Sequence, residues 1–184
     1  YHYDSLFETV HTSHPVRCFC EDEDGNILIG TKGSGIKLLN PATKELTDYL
    51  NESKGLISNS VYALRRNKAN DIFIGTEGTG INILNAATGQ LEKLEIPDKY
   101  PPFKAVYNIY FTNNDSLLWV GTSGYGLIKI NISREQGRYH VKGFRQYNSS
   151  DKNISLNNDV VYAITSDPED NMLWFGTRGG GLNC

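Results

Sequence analysis

Apolar residues in this chain come in short runs that alternate, or nearly alternate, with polar ones, as in Val61-Tyr62-Ala63-Leu64 and Val161-Tyr162-Ala163-Ile164. A period of two sends successive side chains to opposite faces of an extended backbone, so each run predicts a β-strand. Every unit opens on a short approach: Ser13-His14-Pro15-Val16, Ser58-Asn59-Ser60-Val61, Phe103-Lys104-Ala105-Val106 and Asp159-Val160-Val161. The strand that follows is strand A. Next comes a turn, plainest at Asp24-Gly25-Asn26, where a glycine free to take positive φ sits between residues that bond their own backbone. Lys68-Ala69-Asn70-Asp71, Asn113-Asn114-Asp115-Ser116 and Pro168-Glu169-Asp170-Asn171 fill the same place later. Strand B is expected over residues 27–31, 72–76, 117–122 and 172–177, and strand C over 36–39, 81–84 and 127–130. Asn40, Asn85 and Asn131 end strand C, and strand D is expected over 46–50, 91–96 and 144–147.

One phrase joins B to C in all four units. Ile29-Gly30-Thr31-Lys32-Gly33-Ser34-Gly35-Ile36 recurs from Ile74 to Ile81, from Val120 to Leu127 and from Phe175 to Leu182. Its first glycines stand at 30, 75, 121 and 176, giving spacings of 45, 46 and 55 residues. Repeats of this length built from alternating strands are the signature of β-propeller blades. The first glycine leaves room for a neighbouring blade, and the later ones permit the positive φ of a tight hairpin. A phosphate loop would have to open a helix, whereas here strands flank the glycines on both sides.

The expected fold is therefore all-β: a propeller of four-stranded antiparallel blades, represented by about four blades of a longer ring. Its expected divisions are an outer strand of a preceding blade within 1–10 (Tyr3 to Val10), then blades at 11–50, 56–96, 101–148 and 156–184. The fourth is expected to break after strand B. The third carries about seven extra residues around Arg134-Glu135-Gln136-Gly137-Arg138-Tyr139-His140, which predicts a longer C–D hairpin projecting from the rim. Leu28, Phe73, Trp119 and Trp174 share one strand B position, two before the glycine, and are expected in the core.

Composition narrows the chemistry. A net charge of −3 over 184 residues gives no general attraction to nucleic acid or anionic membranes. No apolar run is long enough to span a bilayer, so no membrane contact is expected in this region. Three cysteines are too few for a disulfide scaffold, and Cys18 and Cys20, two apart on a strand, are expected to act as small apolar residues. The four histidines, His2, His11, His14 and His140, do not recur at equivalent blade positions, and no Gly-x-Ser-x-Gly elbow is present. No catalytic residue, metal site or cofactor is expected.

The order Val-Tyr-Ala-Leu or Val-Tyr-Ala-Ile, turn, Leu117-Leu118-Trp119-Val120-Gly121-Thr122 or Met172-Leu173-Trp174-Phe175-Gly176-Thr177, then Gly-x-Gly-Leu resembles the two-component regulator propeller repeat. In the first unit Leu28 replaces the tryptophan and Arg17 the tyrosine. The resemblance implies a seven-bladed ring in the periplasmic sensor part of a hybrid histidine kinase of the kind found in Bacteroidetes, anchored in the membrane by other parts of the protein. It further implies recognition of polysaccharide breakdown products and control of glycan-utilisation genes.

On that reading the D–A and B–C loops emerge on one face. Candidate ligand contacts are then Arg17, Tyr62, Tyr107 and Tyr162, each following a strand A valine, with Lys32, Glu77, Tyr125 and Arg178 in the glycine loops. Tyrosine and arginine stack on sugar faces and bond hydroxyls, which suits a neutral or acidic oligosaccharide. The recurring tyrosines have the alternative role of packing between blades. The expected partners are the oligosaccharide, the remaining blades and domains of the same sensor, and a second copy paired through open blade faces. Two other functions stay open: a glycan-acting propeller enzyme of the lyase or lactonase type, and a protein-interaction propeller.

Overall fold

The computed structural model describes residues 9–151, 156–167, 169 and 172–184. The expected strand from Tyr3 lies outside them, and its last residues, Thr9 and Val10, are not in a strand. Within the described chain fifteen strands form four antiparallel sheets, in plain up-and-down order. The first holds β1 (Val16–Glu21), β2 (Ile27–Thr31), β3 (Ile36–Leu39) and β4 (Leu46–Leu50). The second holds β5 (Val61–Arg66), β6 (Ile72–Thr76), β7 (Ile81–Leu84) and β8 (Leu91–Lys93). The third holds β9 (Val106–Thr112), β10 (Leu117–Thr122), β11 (Leu127–Glu135) and β12 (Arg138–Tyr147). The fourth has three strands: β13 (Val161–Asp167), β14 (Met172–Thr177) and β15 (Gly181–Asn183). Strand C of this sheet is thus begun, where the sequence was expected to stop after strand B.

The first strands of neighbouring sheets pack side by side, β1 on β5, β5 on β9 and β9 on β13. This radial stacking makes each sheet a propeller blade with strand A innermost. Core residues sit in three layers between blades. Leu28, Ile36, Leu64 and Ile74 fill the first junction, Phe73, Ile81, Ile109 and Leu118 the second, and Leu127, Ile164 and Phe175 the third.

The repeat phrase performs the two tasks expected of it. A Cβ on Gly30 would stand 2.9 Å from Val61 of the next blade, and one on Gly75 only 2.5 Å from Val106. At Gly121 the obstacle is the Val161 carbonyl, at 2.7 Å. The blades nest at these glycines because nothing larger fits. Threonine then closes the hairpin: the hydroxyls of Thr31, Thr122 and Thr177 donate to the carbonyls of Gly35, Gly126 and Gly181, at 2.9, 2.7 and 3.1 Å. Asparagine opens the C–D turns, with Asn40 Oδ1 accepting from the Ala42 and Thr43 amides and Asn85 Oδ1 from the Thr88 amide.

Three details differ from expectation. Strand D of the second blade stops at Lys93, after which the Leu94 amide still donates to the Ile81 carbonyl. Trp119 and Trp174 are half-buried, while Leu28 and Phe73 at the same position are fully buried. Trp119 lies against Tyr147 and Phe175 in the third junction, with Nε1 bonded to the Thr112 hydroxyl at 3.0 Å. The long hairpin of the third blade does not project freely. Strands β11 and β12 pair out to Glu135 and Arg138, and their tip folds over the second blade. There the Tyr139 hydroxyl donates to Asp71 Oδ2 at 2.7 Å and accepts from Asn67 Nδ2 at 2.6 Å. Arg134 pairs with the fully buried Asp71 carboxylate at 3.3 Å, and Asn85 Nδ2 reaches the Gly137 carbonyl.

Candidate functional site

The site is built on an irregularity that every strand A shares. In the first blade Val16 pairs with Thr31 and Cys18 with Gly30, which leaves Arg17 without a partner across the ladder. Tyr62 stands between paired Val61 and Ala63, Tyr107 between Val106 and Asn108, and Tyr162 between Val161 and Ala163. Each is the extra residue of a β-bulge, a device that bends a strand and re-aims one side chain. Because strand A is innermost, four bulges in register gather four side chains from four blades at one place.

Arg17, Tyr62, Tyr107 and Tyr162, with Lys32, line one concavity of about 310 Å³. It continues along the inner strands as an open groove of about 570 Å³, where Arg65, Asn108, Tyr110 and Thr165 join the wall. The tyrosines are ordered. Tyr62 meets Tyr107 edge-on with ring centroids 4.9 Å apart, and Tyr107 stacks on Tyr162 at 5.4 Å. Tyr162, at the end of the ladder, remains 49% exposed. Deeper in the groove, the Arg65 guanidinium lies over the Tyr110 ring at 5.1 Å, and the Tyr110 hydroxyl bonds Ser166 Oγ at 2.7 Å. Asn108 Nδ2 donates to the Tyr162 carbonyl, tying the third blade to the fourth.

The residue after each repeat threonine sits next to the start of strand A, and in the first blade this residue, Lys32, is part of the groove lining. The backbone amides of Lys32, Glu77, Ser123 and Arg178 donate to the carbonyls of Pro15, Ser60, Ala105 and Val160, each just before a strand A valine. Lys32, Glu77 and Arg178 are exposed there. Burial first, then the nearby Glu77 carboxylate and Tyr107, raises the pKa of the Tyr62 hydroxyl, against the opposing pull of Arg17 and a hydrogen bond with Ser60. The phenol therefore stays protonated and available as a donor.

Of the eight residues singled out in the sequence, Arg17, Lys32, Tyr62, Tyr107 and Tyr162 line these hollows, while Glu77 and Arg178 hold the backbone position of Lys32 in their own blades without joining the lining. Tyr125 does neither: it sits two positions further along its glycine loop and packs against the core of the second junction. The residue equivalent to Lys32 in that blade is Ser123. Arg65, Asn108 and Tyr110 were not anticipated. Their signal was weak, because each lies one to three residues past the bulge, and only the shift in register brings them to the groove wall. Cys18 and Cys20 pack against the core of the first junction, as expected, while Cys184 is exposed. Burial, then the neighbouring Cys20, pushes the Cys18 thiol up to about 12, although a backbone hydrogen bond from Gly30 opposes this, so the thiol is a poor nucleophile.

A second hollow of about 330 Å³ lies on the outer part of the second blade, between Lys93, Glu95, Asp98 and Tyr100. Tyr100 stacks on Phe144 there, with Phe103 tilted against the same ring, and Lys93 stands among the carboxylates of Glu95 and Asp98. Among the described residues no cluster of three His, Cys, Asp or Glu side chains is placed to hold a metal ion. No described helix is long and apolar enough to cross a membrane.

Up-and-down sheets stacked on their first strands, with a side-chain ladder along the inner edge, define a β-propeller. The family model named two component regulator propeller matches residues 12–33, within the first of the four repeat units. Over 164 residues the chain is 28% identical to histidine kinase P4 of Formosa agariphila, covering 86% of this chain and 11% of that protein. Its fold is shared with the extracellular domain of a putative hybrid two component system from B. thetaiotaomicron, at TM-score 0.59 and 18% identity over 99% of this chain and 28% of that one. Virginiamycin B lyase from Staphylococcus aureus shares the fold at TM-score 0.58 and 17% identity, over 91% of this chain and 54% of the lyase. The chain thus spans about a tenth of the curated relative it matches, and just over a quarter of the sensor domain.

Proposed function

We propose that this chain is an extracytoplasmic, ligand-sensing propeller segment of a hybrid two-component sensor histidine kinase. It recognises oligosaccharides released from polysaccharides, and through the rest of the sensor it controls genes for their use. The observation that carries the reading is the ladder Tyr62, Tyr107, Tyr162, held by aligned bulges in an open groove. Stacked tyrosines present flat apolar faces with polar edges, the combination that binds a pyranose ring. The relatives support the setting: one is a histidine kinase, another the extracellular domain of a two component system. Periplasmic location, a seven-bladed total, and packing of further blades or a second copy on the outer blade faces belong to the same proposal.

The test is a calorimetric and thermal-shift screen of the 184-residue chain against plant, algal and host oligosaccharides, beside the Tyr107→Ala variant. Saccharide binding that Tyr107→Ala weakens at least tenfold is the expected result. The lyase neighbour gives the second reading its basis. Among the described residues the lining of the groove includes no histidine or carboxylate to move a proton. Cleavage of any glycan in the same screen would replace the sensing role with catalysis.

A further inference from the structure

We infer that the groove selects anionic saccharides, with Arg17 and Arg65 taking a carboxylate or sulfate while the tyrosine ladder takes the ring. This rests on the oligosaccharide reading above and adds the charge of the ligand. The chain as a whole is acidic, with a net charge of −3, yet among the described residues the side chains that line the two connected hollows include three cations, Arg17, Lys32 and Arg65, and no carboxylate. Glu77 is close enough to act on Tyr62 but is not part of the lining. Three exposed cations are thus gathered along one groove of an acidic chain.

The placement of the cations matters as much as their number. Arg17 occupies the bulge position that holds tyrosine in the other three blades, so a guanidinium takes that place in the row and acts on the neighbouring Tyr62. Arg65 lies over Tyr110, its guanidinium carbon 5.1 Å from the ring centroid, which restrains the side chain at the groove wall. Among the described residues neither Arg17, Lys32 nor Arg65 is held in an ion pair. Guanidinium edges match the two oxygens of a carboxylate or sulfate in a bidentate fork, a geometry that a neutral hydroxyl does not fill. Arg17, Tyr62 and Tyr107 thus line one wall together, so a ring stacked on the tyrosines would present its acidic substituent to Arg17.

The experiment compares matched ligands on the whole 184-residue chain by calorimetry. A neutral β-glucan tetramer is set against the same tetramer oxidised to uronates, and an unsulfated galactan tetramer against its sulfated form, at low and at raised salt. The inference requires one anionic form to bind at least tenfold more tightly than its neutral partner, with the advantage shrinking as salt is added. Which pair shows it separates carboxylate from sulfate. Arg17→Met and Arg65→Met should erase the advantage of the anionic form over its neutral partner, whereas Tyr107→Ala should weaken both forms and keep their ratio. Thermal melts of the variants confirm that they fold. Equal binding of neutral and anionic forms would overturn the inference and leave the oligosaccharide reading intact. Absence of binding by all four ligands would overturn both.

Discussion

The second blade junction and the outward faces of the first and fourth blades use the same repeat positions to opposite effect. Leu64, Ile109 and Ile164 are buried against the preceding blade, while Phe19 in the equivalent place is 74% exposed. Ile36, Ile81 and Leu127 are buried against the following blade, while Leu182, their counterpart, is 63% exposed. The repeat therefore encodes a surface shaped for a neighbour, and burial comes only where that neighbour stands. Stability of the chain should depend on the inner junctions far more than on the repeat positions at its ends.

The largest expected effect lies at Phe73. Its ring is fully buried and meets Phe111 and Tyr139 edge-on at centroid distances of 4.9 and 5.0 Å. Phe73→Ala should cost ~3–5 kcal/mol, the range for emptying a buried aromatic site. Leu182→Ala should fall within about 0.5 kcal/mol of the parent. Urea unfolding of both variants measures the contrast, and equal losses would refute the division into covered and uncovered faces.

Next comes the nesting glycine. A Cβ at position 75 would meet Val106 Cγ1 at 2.5 Å and the Val106 carbonyl at 2.9 Å, and the backbone cannot swing aside. Gly75→Ala should therefore cost ~2–3 kcal/mol, toward the upper end for overpacking. At Gly176 the nearest atom would be the Ala163 Cβ at 3.5 Å, an ordinary contact, so Gly176→Ala should be close to neutral. The glycine recurs in both blades, yet its steric reason operates only in one. Thermal melts of the pair sharpen the comparison, since neither change removes a side chain.

These contrasts mark what the sequence could disclose. Strand order, the B–C hairpin and the close approach at Gly30, Gly75 and Gly121 were legible because each repeats and each has a local steric or hydrogen-bonding cause. Convergence of Arg17, Tyr62, Tyr107 and Tyr162 followed from their equal place in the repeat. The bulge that turns them inward was not legible, since an unpaired residue is a property of two strands in register. Tyr125 was misjudged for a related reason: the glycine loop reverses direction, so a shift of two residues moves a side chain from beside the start of strand A to the core. Arg134 and Tyr139 looked like the tip of a free protrusion, and nothing near them in sequence foretold that Asp71, far back in the chain, is their partner.

That long-range contact gives the smallest of the three effects and a distinct way to probe the second junction. Tyr139 closes over Phe73 and bonds Asp71, so Tyr139→Phe keeps the ring and removes only the hydroxyl. The loss should be about 1.5 kcal/mol, the lower end for a hydrogen bond to a charged group, because Arg134 and the Ala86 amide still serve Asp71. Burial first, then the bond to Asp71, pushes the Tyr139 hydroxyl up to about 12, although Asn67 and Arg134 oppose the shift. An unfolded tyrosine ionises near ~10, so the folded state holds this proton more tightly. The clamp's contribution is thus complete below pH ~10 and is lost as pH rises through the folded value. Phenolate absorbance should show one late tyrosine that disappears in Tyr139→Phe, and the stability gap between parent and variant should close over the same alkaline interval. A gap that persists at high pH would assign the effect to packing of the ring edge instead of the hydroxyl.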